Sequence, residues 1–113
     1  MKCAVLSAST NTEAILRQAG LAPLIDVIVD GNVIRRRDLE AKPAPDTILT
    51  ACDLVGVAPA QAAIFETTVE GLDAGRTAGI ADAVAVDSAG RAETLRPHGA
   101  RVAVTDLAEL LTR

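Results

Sequence analysis

The sequence predicts an α/β domain of three layers: a mostly parallel sheet of four or five strands with helices on both faces. Two observations carry this expectation. Short aliphatic runs alternate with helical patterns from one end of the chain to the other, the order that gives a parallel sheet with right-handed crossovers. The length of 113 residues allows one core, which at this size buries roughly two-thirds of the unfolded surface. Residues 1–113 therefore read as a single domain.

The elements follow in order. Ala4-Val5-Leu6 is a first strand and runs into the hydroxyl cluster Ser7-Ala8-Ser9-Thr10-Asn11. A helix starts near Thr12; Ala14, Ile15 and Ala19 form its apolar stripe, and Gly20 is placed to end it. Ile25–Val29 is a second strand, closed by Asp30-Gly31. The segment from Asn32 to Lys42 shows no clear period and reads as a connecting loop. Pro45 and Asp46 then open a helix, since proline suits the first helical position and an acid suits the positive end. Ile48, Cys52 and Val55 recur at helical spacing up to Gly56.

Ala62–Phe65 is a third strand released at Glu66, followed by Thr67, Thr68 and a helix from about Val69 to Ala78. Gly71 and Gly75 stand one helical turn apart and give that helix a bare face for close approach to the sheet. Ala83–Val86, ending at Asp87-Ser88, is a fourth strand, with a short helix at Ala92–Arg96 after it. Arg101–Val104 is a fifth, and Asp106 with Glu109 is spaced as a capping box.

Composition removes several function classes. The apolar half of the chain is almost wholly Ala, Val, Leu and Ile, with Phe65 the only aromatic residue, so base stacking is not expected. The net charge of −4 disfavours nucleic acid and anionic lipid as partners. Arg35-Arg36-Arg37 is answered at once by Asp38 and Glu40 and reads as a solvated segment. No apolar run approaches the ~18 residues of a membrane span, and a cytoplasmic protein is expected. Cys3 and Cys52 lack metal-ligand spacing and are expected to be reduced core thiols. His98, between Pro97 and Gly99, reads as part of a surface turn.

Parallel strands end on one side of a sheet, so Ser7, Lys42 and Glu66 can converge although they are distant in sequence. A hydroxyl followed by main-chain N–H groups at a helix start can hold phosphate oxygens. A lysine before the next helix supplies positive charge, and a carboxylate can hold Mg²⁺. Each piece alone has an ordinary reading as a cap, a loop lysine or a strand-end acid; their order at successive strand ends is the specific signal.

On Ser7-Ala8-Ser9 with Asn11, Lys42-Pro43-Ala44-Pro45-Asp46, and Phe65-Glu66 running to Gly71 and Ala78-Gly79, the chain resembles the haloacid dehalogenase superfamily, in its β-phosphoglucomutase-like branch. The resemblance implies a Rossmann-like core that transfers phosphoryl groups through an aspartyl-phosphate with Mg²⁺; the family's mobile cap, usually placed between the first and second motifs, is not expected in this chain. It implies that Ser7 and the Ala8 amide bind phosphate, that Lys42 is catalytic and stabilises phosphate charge, that Asn11 faces substrate and that Glu66 binds metal.

Two departures qualify this. The family's Asp-x-Asp nucleophile motif does not precede Ser7, and covalent catalysis needs its nucleophile. Thr67 stands where the branch usually has a second acid, which weakens the Mg²⁺ site. The expected function is therefore a sugar-phosphate hydrolase or mutase core inactive on its own, with a noncatalytic phosphate-binding or protein-interaction module as the alternative and a phosphorylated small molecule as ligand. In the family the nucleophile strand lies between the strands that end in Ser7 and Glu66. Those two strands are expected either to pair directly in a repacked sheet or to leave edges that form a homodimer.

Overall fold

The structure, a computed structural model, describes every residue except Ser88, Gly90 and Arg113, so the strand end expected at Asp87-Ser88 lies partly outside the described residues. Five strands form: β1 (Ala4–Leu6), β2 (Val27–Val29), β3 (Ala63–Glu66), β4 (Asp82–Val86) and β5 (Val102–Val104). The helices are α1 (Thr12–Gln18), α2 (Gly31–Arg36), α3 (Asp46–Val55), α4 (Val69–Ala78) and α5 (Ala92–Leu95), with 3-10 turns between and after them.

Every strand pair is parallel, but the strands divide into two sheets, β1-β2 and β3-β4-β5. Direct pairing of β1 with β3, one of the two expected outcomes, does not occur. Helix α3 joins the halves, since it packs on β1 and β2 and also on α4. Its Ile48 and Cys52 enter the same apolar cluster as Ile64 of β3, Leu72 and Ala74 of α4, and Ala85 of β4. Ile48 and Leu72 are each 1% exposed, and burial of such a side chain contributes roughly 1.5–3 kcal/mol.

Helix α4 shows why its glycines are needed. A Cβ on Gly71 would overlap the carboxylate of Glu66, and one on Gly75 would overlap Cδ1 of Ile64. Both contacted residues are the inward-facing members of β3, where Ile64 and Glu66 are buried and Ala63 and Phe65 exposed. The bare helix face expected from the sequence is thus laid directly on this strand.

Three local expectations need correction. The segment from Asn32 onward is not all loop: α2 forms there because the Asp30 carboxylate accepts from the N–H groups of both Asn32 and Val33 at 3.0 Å, a strong cap. Arg35 and Arg36 occupy its last turn, where cations favour the helix dipole. The stripe of α1 is not covered, since Ala14, Ile15 and Ala19 are all exposed.

Cys3 is also exposed rather than core, because it precedes β1 at the outer end of a two-stranded sheet, whereas Cys52 is buried. Burial pushes the Cys52 thiol above its ordinary value of 9.0. A raised folded value contributes stability that is fully present below the unfolded value and is lost as pH rises through the folded one. A thiol reagent at neutral pH is expected to label Cys3 rapidly and Cys52 only on unfolding, with stability falling above about pH 9. Equal labelling rates in the native chain would contradict this placement.

Candidate functional site

The loop after β1 is built by nested hydroxyl turns. Ser7 N–H donates to Val29 O at 3.0 Å and holds the strand end. Its Oγ accepts from Ser9 N–H at 3.2 Å, and Ser9 Oγ accepts from Asn11 N–H at 3.0 Å. Such side-chain turns compete with helix and delay its start, which keeps Ala8 and Asn11 at the surface. The loop lies close over the start of α2, where a Cβ on Gly31 would come within 2.5 Å of Ala8 O.

Lys42 stands in the tight turn before α3, where Asp46 accepts from Glu40 N–H at 2.9 Å. Its ammonium reaches Glu66 Oε1 at 2.6 Å across 24 residues of sequence. The Lys42 side chain is 28% exposed and that of Glu66 10%, so the pair sits in a partly dry setting where charge–charge interaction is stronger than in water. The Glu66 carboxylate lies against the first turn of α4. Thr68 caps that helix by accepting from Gly71 N–H at 3.0 Å, and Thr67 is exposed beside it.

Two cavities meet at Lys42. One, of about 290 Å³, is lined by Ser7, Ala8, Lys42 and Thr47 among others. The other, of about 460 Å³, lies between β1 and β3, with Lys42, Glu66, Thr67 and Thr68 among its lining. Ser7 and Ala8 thus share one cavity with Lys42, and Glu66 shares the other with it, so Lys42 is the residue common to both. Asn11 stands apart: it is exposed at the start of α1 and lines neither cavity.

Thr47 is the residue that sequence reasoning missed. It is 4% exposed, and its Oγ1 has no hydrogen-bond partner among the described residues. Its only signal in the sequence was its place beside Asp46 in the first turn of a helix that begins at the strand ends. A buried hydroxyl without a partner costs roughly 1–3 kcal/mol. Thr47→Val is expected to raise stability by about 1 kcal/mol in phosphate-free urea unfolding; a comparable loss would show that the hydroxyl is satisfied in solution.

The donor set does not make a Mg²⁺ site by itself. Mg²⁺ is held through one or two carboxylates with water and phosphate oxygens completing six positions. Here the one strand-end carboxylate at the cavity is already tied to Lys42 and is followed by a threonine. Among the described residues no group of three or more His, Cys, Asp or Glu gathers to hold a metal.

Parallel strands, a hydroxyl loop at one strand end and a Lys–Glu pair at another make up a Rossmann-like α/β core with its polar residues at the strand ends. A model of the haloacid dehalogenase-like hydrolases matches residues 1–79, and the chain belongs to that family. It is 46% identical over 111 residues to a β-phosphoglucomutase of Mycobacterium bovis, covering 96% of this chain and 42% of that protein. It is 39% identical over 80 residues to a fructose-1-phosphate phosphatase of Escherichia coli, covering 71% of this chain and 40% of that one.

The solved β-phosphoglucomutase of Clostridium difficile superposes with a TM-score of 0.78 at 27% identity, over 98% of this chain and 45% of that one. A haloacid dehalogenase family hydrolase of Deinococcus radiodurans, solved with bound phosphate and sodium, gives 0.76 at 30% identity over 95% and 48%. The chain thus spans less than half the length of these relatives. Among the described residues no helix is long and apolar enough to cross a membrane.

Proposed function

We propose that this chain carries the phosphate-binding half of a phosphoryl-transfer site for a phosphorylated sugar or a similar small molecule, and that it does not turn that substrate over alone. The observation that carries the reading is the position of Lys42, whose ammonium lies on Glu66 and whose side chain lines the cavity shared with Ser7 and Ala8. In this reading Ser7 and the Ala8 amide bind phosphate oxygens and Lys42 neutralises their charge. Glu66 holds Lys42 in place.

Similarity to sugar-phosphate mutases and phosphatases supports the substrate class. Mg²⁺ is part of the chemistry of the resembled family, but Glu66 alone is too little to hold it. The sequence contains no Asp-x-Asp motif, so no acceptor is assigned for the transferred group. Turnover of p-nitrophenyl phosphate by the pure chain with Mg²⁺ is expected to stay at the buffer rate; turnover that vanishes in Lys42→Ala would overturn the inactivity.

The second reading, an interaction module, is favoured by one separate observation: the open strand edges of β1 and β3.

A further inference from the structure

The cavity that holds Ser7, Ala8 and Lys42 has a further wall at the start of α3, where Thr47 lines it. That start is open to an acceptor. Pro45 stands at the cap position of this ten-residue helix, and no side chain caps it. The N–H groups of Asp46, Thr47 and Ile48 enter no hydrogen bond among the described residues. Such donors ordinarily go to a cap, to water or to a ligand. Thr47 and Ile48 are 4% and 1% exposed, and main-chain groups of buried residues are rarely left unpaired.

A side chain at the same place is in the same condition. Thr47 Oγ1 is buried and has no partner among the described residues, although a hydroxyl turns freely to donate or accept. It is shut off from solvent, so meeting a ligand requires a turn about χ1. A threonine in a helix has two χ1 positions open to it, and here the turn breaks no hydrogen bond.

Charge decides what the donors would meet. Lys42 is the only charged residue that lines this cavity, and Leu6, Val29 and Ile34 make its walls otherwise apolar. The carboxylate of Asp46 is engaged elsewhere, since it accepts from Glu40 N–H at 2.9 Å, and it does not line the cavity. A helix start carries partial positive charge and aims its N–H groups at anions.

We infer that an oxyanion seated against Ser7, Ala8 and Lys42 is also held by α3, through the main-chain N–H and the hydroxyl of Thr47. A phosphoryl group has three terminal oxygens, enough acceptors for both walls. The inference rests on the phosphate reading and adds to it a wall that none of the strand-end residues supplies. It also gives the unpartnered hydroxyl a purpose: Thr47 is left unsatisfied in the empty cavity and satisfied in the filled one.

The test is an NMR titration of the labelled chain with inorganic phosphate, against sodium chloride at matched ionic strength. The amides of Thr47 and Ile48 are expected to shift along the same saturation curve as that of Ala8. Thr47→Val keeps the shape and removes the donor; it should weaken phosphate about tenfold, the worth of one hydrogen bond to a charged group. Thr47→Ser keeps the donor and should restore affinity to within about threefold of the native chain. A purely structural role for Thr47 would leave phosphate affinity unchanged in Thr47→Val. That result overturns the inference, as do still amides at Thr47 and Ile48 while Ala8 moves, or equal shifts with chloride; in the first two cases the phosphate reading stands. If Ala8 does not move either, the phosphate reading itself fails and this inference falls with it.

Discussion

Lys42→Met is expected to destabilise the chain by about 2–3 kcal/mol and to remove phosphate binding with it. The loss comes from what the substitution leaves behind. Glu66 is 8% exposed, and Lys42 at 2.6 Å is the only cation that reaches it among the described residues. Removing one partner of a fully buried pair costs about 3–5 kcal/mol; Lys42 keeps some solvent contact, so the lower figure applies. The companion variant separates charge from packing. Lys42→Met with Glu66→Gln removes both charges, and replacing both partners is often close to neutral. Urea unfolding should show the double variant recovering most of the lost stability. A double variant no better than Lys42→Met would mean that the ion pair is not what the single substitution breaks.

Gly71→Ala carries the second large effect. On an exposed helix this change would gain about 1 kcal/mol. Here the added methyl meets the Glu66 carboxylate, in a carboxyl group held between α4 and Lys42, and overpacking of this kind costs about 1–3 kcal/mol. A net loss is expected in thermal unfolding. In a Glu66→Ala background the obstructing group is gone and Gly71→Ala should become stabilising. That reversal is a coupling between touching residues, which a double-mutant cycle reads directly. Equal effects in both backgrounds would place Gly71 away from Glu66.

The sequence made the strands, the α3 and α4 helices and the strand-end cluster legible because each rests on local pattern. Val69–Ala78 was readable from Gly71 and Gly75 at helical spacing, and the contact they make with Glu66 and Ile64 followed from it. Helix α2 was not readable, because its start depends on the side chain of Asp30 and its six residues are too few to show a period. The exposure of Cys3 and of the α1 stripe was hidden for another reason. An apolar residue is buried only if something lies over it, and that depends on neighbours the local pattern does not specify.

The same holds for the split sheet. A resemblance predicted trouble between the strands ending at Ser7 and Glu66, but only the register shows that their edges stay apart rather than pairing. At the site, Asn11 was assigned by resemblance alone, and its position away from both cavities leaves it without a geometric argument. Thr47 had a geometric role and no sequence signal beyond its neighbours.

The central proposal is that Ser7, Ala8 and Lys42 of this chain form a phosphate site. The most direct measurement is an NMR titration of the labelled chain with inorganic phosphate. The amides of Ala8 and Ser9 are predicted to shift and saturate at millimolar phosphate, while the Lys42→Met/Glu66→Gln double variant, folded by the same spectra, shows neither. Unmoved amides in the native chain, or the same saturating shift in the folded double variant, would contradict it.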